Sequence, residues 1–238
     1  MTAYFCQKVL MPEGPGFVLN SCEMVSVASD YASGAGHTVE KKWGMLPTDM
    51  DALRQYINDR IRFREEDFQL LMEIATPVAF VPKNLLIQAG RKVQYLYFLE
   101  EGLVKGYRNQ EGKIVIEHLM QGGGFLTSME SFFQASASPE SFEAITACRA
   151  LQLTREAVEQ LRSASEKWNE LVEMVMSESL QCKMDRLKDF QTLTAKERYV
   201  KFLEQQPGVA LGVSVGDLAS YLGIAPPSLS RIRRQVIS

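Results

Sequence analysis

Ser214-Val-Gly-Asp-Leu-Ala-Ser-Tyr-Leu-Gly-Ile-Ala-Pro-Pro-Ser-Leu-Ser-Arg-Ile-Arg-Arg-Gln-Val-Ile237 is the stretch on which the reading of this chain turns. Leu218, Leu222, Ile224, Leu229 and Ile232 recur at the spacing that lets two short helices share one apolar core. Ala219 is small where such helices cross. Gly223 stands four residues later, where the turn between them requires a left-handed backbone. Ser214 with Asp217 resembles a capping box at the start of the first helix. Pro226 and Pro227 suit the first turn of the second, where an N–H has no helical partner anyway. The outward face of that second helix offers Ser228, Ser230, Arg231, Arg233 and Arg234, with no acid after Asp217. The pattern is a helix-turn-helix whose second helix suits phosphates and base edges. A plain helical hairpin with a solvated basic face is the bland alternative, and the apolar matches together with Ala219 and Gly223 weigh against it.

Charge is segregated in the same sense. The 238 residues carry a formal net charge of −3, but from Gln191 onward Lys196, Arg198, Lys201, Arg231, Arg233 and Arg234 face only Glu197, Glu204 and Asp217. A basic footprint on an acidic chain is what a nucleic-acid reader needs. With 46% apolar and 23% charged residues the chain has the composition of a globular protein with real cores. Cys6, Cys22, Cys148 and Cys182 have no paired spacing, so a zinc or iron–sulfur site gains no support and buried free thiols in a reducing cytoplasm are expected. No run is long and apolar enough for a membrane span, and a cytoplasmic protein without membrane contact is expected.

Upstream, residues 1–46 are rich in Gly, Ser, Ala and Val and hold no period. They read either as a flexible arm or as an extension ahead of a start at Met45 or Met50. Two amphipathic helices are predicted, from Asp49 to about Arg60 with Leu53, Tyr56 and Ile57 inward, and from Glu65 to Ala75 with Phe68, Leu71, Met72 and Ala75 inward. The period then becomes two. Val78–Val81, Leu85–Gln88, Gln94–Leu99, Leu103–Arg108, Lys113–Leu119 and Phe142–Leu153 read as strands, Asn109–Gly112 as a hairpin loop, and Gly122–Gly124 as a tight turn. Many short, glycine-punctuated strands imply a jelly roll or related barrel. Helix returns at about Arg155–Arg162 and again at about Trp168–Phe190. The longer helix carries one stripe of Val172, Met176, Leu180, Met184 and Leu187, and a second face of Val175, Ser179 and Cys182. One face should cover the barrel and the other a second copy of the chain, although burial within a single chain would also account for the pattern.

Roll, long helix, hinge and helix-turn-helix in this order resemble the Crp–Fnr family of bacterial transcription regulators, most closely the branch common in Bacteroidetes. The resemblance is carried by Leu193-Thr-Ala-Lys-Glu-Arg-Tyr-Val-Lys-Phe-Leu203, Pro207, Leu218-Ala-Ser-Tyr-Leu-Gly-Ile224 and Ser228-Leu-Ser-Arg-Ile-Arg-Arg234, and spans about residues 53–238. It implies an α+β chain. Residues 47–167 would form a cyclic-nucleotide-binding-type β-roll (jelly roll) with flanking helices, 168–192 the dimerisation helix and hinge, and 193–238 a winged-helix-like DNA reader with its wing missing or reduced. It further implies a homodimer on double-stranded DNA, with RNA polymerase a further candidate partner and a small-molecule effector of unknown identity. By the same resemblance Arg231 points at base edges, Ser228 and Ser230 contact phosphate or base, and Arg233 and Arg234 contact phosphate. A ligand-gated module that acts through protein partners is the competing class.

The sensor half departs from the family. Nucleotide binders of this fold hold the phosphate with a Gly-Glu pair and, some ten residues on, an Arg and a small hydroxylated residue. Here the candidate pocket residues are Gly123, Gly124, Phe125, Glu130 and Ser141, and no Arg or Lys lies between Lys113 and Arg149. A buried phosphate would meet Glu130, Glu140 and Glu143 without a counter-charge unless Lys105, Arg108 or a dimer mate reached in. Cyclic AMP is therefore not expected as the effector, and no cofactor is assigned. His118 lies in a strand pattern and reads as a structural histidine. Clustered metal ligands of the cupin kind and a nucleophile–base–acid set are both absent from the sequence, so neither a metal nor catalysis is expected.

Overall fold

The computed structural model describes residues 50–237, so the readings of residues 1–46 and of Cys6 and Cys22 lie outside the described residues. The first helix, α1 (Asp51–Asn58), buries Leu53, Tyr56 and Ile57, the residues its period places on one face. The Tyr56 ring meets Phe98 and Phe125 edge-on at 5.5 and 5.4 Å, which fixes α1 on the sheet beneath. Helix α2 (Glu65–Ile74) begins at a reciprocal cap between Arg64 and Asp67 and buries Phe68 and Leu71. Met72, expected inward, is 53% exposed and meets Arg54 instead, because it lies one position beyond the narrow stripe that touches the core.

Eight strands then form two antiparallel four-stranded sheets. One runs β1 (Thr76–Phe80), β8 (Cys148–Thr154), β3 (Tyr95–Glu101), β6 (Gly124–Leu126); the other runs β2 (Leu85–Ile87), β7 (Ser141–Ala144), β4 (Leu103–Gln110), β5 (Lys113–Gln121). Phe98, Leu99 and Leu151 from the first sheet and Val104, Phe142 and Ala144 from the second belong to one core, and because the adjacent Phe98 and Leu99 are both buried the first sheet is covered on both faces, by α1 on the side where Tyr56 meets Phe98. The hairpin at 109–112 forms with Gln110 opposite Lys113. Glu111 and Gly112 both take positive φ, 53° and 91°, the twist-matched geometry for a two-residue loop.

Two expectations are corrected here. Phe142–Leu153 is two strands, because Ile145–Ala147 carries the chain from one sheet to the other. Leu103 holds that corner: its N–H donates to Thr146 Oγ1 and its carbonyl accepts from the Ile145 N–H. The glycine run is more than a turn, since Gly124 already pairs with Leu99 in the short strand β6, and helix α3 (Met129–Gln134) follows.

Helix α4 (Arg155–Ala164) is capped by Thr154, whose Oγ1 accepts from Ala157 N. Helix α5 (Glu166–Thr192) starts against Phe63 through Trp168 and runs 27 residues, about 40 Å. Its second face is corrected in part: Val175 is buried, whereas Cys182 is exposed rather than a buried thiol. The remaining helices are α6 (Ala195–Gln205), α7 (Pro207–Gly212), α8 (Val215–Tyr221) and α9 (Pro226–Ile237), and no strand occurs among the described residues beyond α5. No described helix is long and apolar enough to cross a membrane.

Candidate nucleic-acid interface and effector site

The C-terminal helices are built on Tyr199, Phe202, Val209, Leu218, Leu229 and Ile232, all buried. Ser214 caps α8 by accepting from Asp217 N at 3.0 Å. The cap is one-sided, because the Asp217 carboxylate turns away to Lys105 Nζ, 3.5 Å distant. Gly223 makes the turn at φ +66°, and a Cβ there would stand 2.6 Å from the Phe190 ring at the end of α5. Backbone conformation and space therefore both demand glycine.

On α9, Leu229 and Ile232 face the core, and Pro227, Ser230, Arg231 and Arg234 form one exposed stripe. Ser230 donates to the Pro226 carbonyl and Arg234 Nε to the Ser230 carbonyl, contacts that stiffen the stripe. Arg231 projects without a hydrogen bond or ion pair among the described residues. Ser228 is half-buried beside the stripe. Arg233 departs from the expected outward face: its Nη2 donates to the Ala210 carbonyl at 3.2 Å and its guanidinium sits 5.9 Å from the Tyr199 ring centroid. Adjacent positions on a helix are 100° apart, so Arg231 and Arg234 can face out only if Arg233 turns toward α6 and α7.

This unit is docked on β5. Ile116 and Leu119 of that strand belong to its core. Ser220 Oγ accepts from Ile116 N at 3.0 Å, and Arg186 of α5 donates to the carbonyls of Ile116, Glu117 and Tyr221 at 3.0, 2.9 and 3.0 Å. These residues escape a reading of the sequence, because Arg186 on a long helix and Ser220 between two apolar residues look like ordinary solvated positions. Along α5, Met176, Leu180, Met184 and Leu187 are 42–62% exposed and Val172 half-buried. That stripe is uncovered in the single chain.

The expected effector residues do not converge. Phe125 packs among Tyr56 and Phe98, and Ser141 is buried with its hydroxyl accepting from Ala89 N. Glu130 is exposed and among the described residues accepts from Gln134 one turn along α3. Position 128 looks inward instead: Ser128 Oγ donates to Glu140 Oε1 at 3.2 Å. Glu140 is 3% exposed, and His118 Nε2 lies 3.2 Å from its other oxygen. Burial opposes its ionisation, yet the His118 imidazole, the Lys183 charge and the Ser128 hydroxyl together hold its carboxyl below the usual range. The buried polar cluster here is thus an acid, a hydroxyl and an imidazole.

Residues 77–165 match the family model of the cyclic nucleotide-binding domain. No curated protein matches the chain. Among solved structures, FixK2 from Bradyrhizobium japonicum superposes with a TM-score of 0.62 at 19% identity, covering 68% of this chain and 84% of that one. CLP of Xanthomonas campestris, described as a c-di-GMP-responsive global regulator, gives 0.58 at 15% identity over 73% of this chain and 91% of that one. A CooA variant from Carboxydothermus hydrogenoformans gives 0.57 at 12% identity over 75% and 81%. The likeness establishes the shared fold of antiparallel sandwich and C-terminal helices.

Proposed function

We propose that this chain is a dimeric, sequence-specific DNA-binding transcription regulator with residues 47–167 as sensor, 168–192 as dimerisation helix and hinge, and 193–238 as reader. The observation that carries the reading is the exposed stripe Pro227, Ser230, Arg231, Arg234 on a helix that follows a left-handed glycine turn. Such a helix offers guanidinium donors to a major groove without needing to unfold any contact of its own. The uncovered apolar stripe on α5 supports pairing of two copies, which would set two readers on two half-sites. Arg231 is assigned to base edges, Arg234 to phosphate, and Ser228 and Ser230 to whichever of the two lies nearest. Arg233 is assigned to holding α9 on α7.

The sensor is proposed not to use cyclic AMP. The buried acid Glu140 has its carboxyl held below the usual range, and no Lys or Arg lies on β6, α3 or β7 to pair a phosphate. Calorimetry of the purified chain against cyclic AMP and cyclic GMP should be flat. Micromolar binding of either, with a gain in DNA affinity, overturns this part of the reading and leaves the DNA part standing.

A further inference from the structure

Strand β5 contains a bulge in its pairing with β4. Gly106 pairs with His118 and Tyr107 with Ile116, so Glu117 is the extra residue. Alternation would send Glu117 and His118 to opposite faces of the sheet, and a bulge is the device that re-aims one of them. As a result the ligand atoms of Glu117, His118 and Glu140 all lie within 4.8 Å of one another, although Glu140 comes from a different part of the chain.

The surroundings are built for that cluster. Gly106 has no side chain, and a Cβ there would stand 2.9 Å from the His118 ring and 2.8 Å from that of Phe142, so the missing side chain makes room for the imidazole. The His118 ring stacks on Phe142 at 5.4 Å, which fixes its plane. Glu140 is at least nine-tenths buried. Its Oε2 points at the cluster and receives no hydrogen bond, although His118 Nε2 is only 3.2 Å away. That separation is close to the edge of a tetrahedron around a zinc-sized ion, about 3.3 Å for ligand bonds of about 2.0 Å.

We propose that Glu117, His118 and Glu140 form a binding site for a divalent transition-metal cation of the zinc class, with water completing the coordination. One imidazole and two carboxylates suit such an ion better than the all-oxygen shell that calcium or magnesium takes. Two positive side chains compete for the acids. Arg108 Nε lies 2.9 Å from Glu117 Oε2, and the Lys183 charge acts on Glu140. Both are on long stems at the solvent rim and can withdraw into water when the ion enters. The ion would sit beside the docking contacts already described, since the Glu117 carbonyl accepts from Arg186 and Ile116 bonds Ser220. It would therefore act on the strand that holds α8.

The test is a titration of the untagged full chain with zinc chloride by calorimetry, with cobalt(II) absorption as a second readout. One equivalent should bind with Kd on the order of 1 µM. H118Q and E140Q should each weaken binding by more than about tenfold. H37Q, which alters the chain's other histidine, should leave it unchanged. Metal-free melting curves establish that the variants fold, and E117Q replaces E140Q if the latter does not. Cobalt should give the intense visible bands of four-coordination without a thiolate charge-transfer band. Absence of saturable binding, binding indifferent to H118Q, or a thiolate band from the cysteines each overturns the proposal.

Discussion

Arg231 and Arg234 stand three residues apart on the same exposed stripe of α9, yet their surroundings assign them different work. Arg234 is steadied by the Ser230 carbonyl, whereas Arg231 extends freely from the middle of the stripe. R231A should flatten base preference at a cost of about 1–3 kcal/mol, and R234A should weaken all sequences alike and lower the salt dependence by about one phosphate. Competition binding against a randomised operator pool separates the two, and a uniform loss in R231A would reverse the assignment. Gly223 carries a stability prediction. G223A forces a Cβ into a left-handed residue, about 1–2 kcal/mol, and into the Phe190 ring. Its melting temperature should fall by several degrees; an unchanged melt would show that the α5–α8 junction can shift freely. At this scale the apolar positions were legible, because Leu218, Leu222, Leu229 and Ile232 announce burial by spacing alone. Arg233 was not. Five polar residues in a run of seven look equivalent on paper, and only the position of α7 shows that one guanidinium bonds Ala210.

Helices and strands were legible where local period and packing agree. Helix α1 and the strands up to β5 fall within a few residues of their expected bounds, since nothing distant competes with their alternation. The exceptions depend on contacts far away in sequence. Phe142–Leu153 keeps its alternation across the corner at 145–147, and only pairing with β4 on one side and β3 on the other shows that the sheets divide there. The bulge at Glu117 has no local signature at all, so the approach of His118 to Glu140 is not visible in the sequence. An electrostatic contact between elements gives a pH prediction. Asp67 caps α2 by accepting from Arg64 N and reaches Lys167 Nζ on α5 at 3.1 Å, and these contacts hold its carboxyl below the ordinary value. A depressed carboxyl stabilises the fold above its unfolded value of about 3.9 and loses that contribution as pH falls through the lower folded value. D67N should therefore melt lower than wild type at pH 6, and the gap should begin to narrow below about pH 4 and continue to narrow as pH falls through the folded value. A gap that does not narrow at all down to about pH 2 would mean the carboxylate charge is not what joins α2 to α5.

At the scale of the whole molecule, α5 carries an uncovered apolar stripe, the C-terminal helices are docked on β5, and the sandwich buries Glu140. L180E placed in the centre of the stripe should convert the chain to a monomer by sedimentation velocity, because two buried carboxylates would face each other across the interface. A dimer that survives L180E would move the interface elsewhere. The order of strands, long helix and short C-terminal helices was legible because each part has its own period, whereas the docking of those last helices on β5 rests on Arg186, Ser220 and Lys105, single polar residues that no pattern marks. The most direct test of the central claim is selection of sites from a genomic DNA pool by the full chain, followed by binding to the enriched site across a salt series. A dimeric DNA reader should enrich an inverted-repeat motif with half-sites about one helical turn apart, lose affinity steeply with salt, and lose the motif in R231A. A folded, dimeric protein that enriches no motif and binds no DNA even at about 50 mM salt would contradict it.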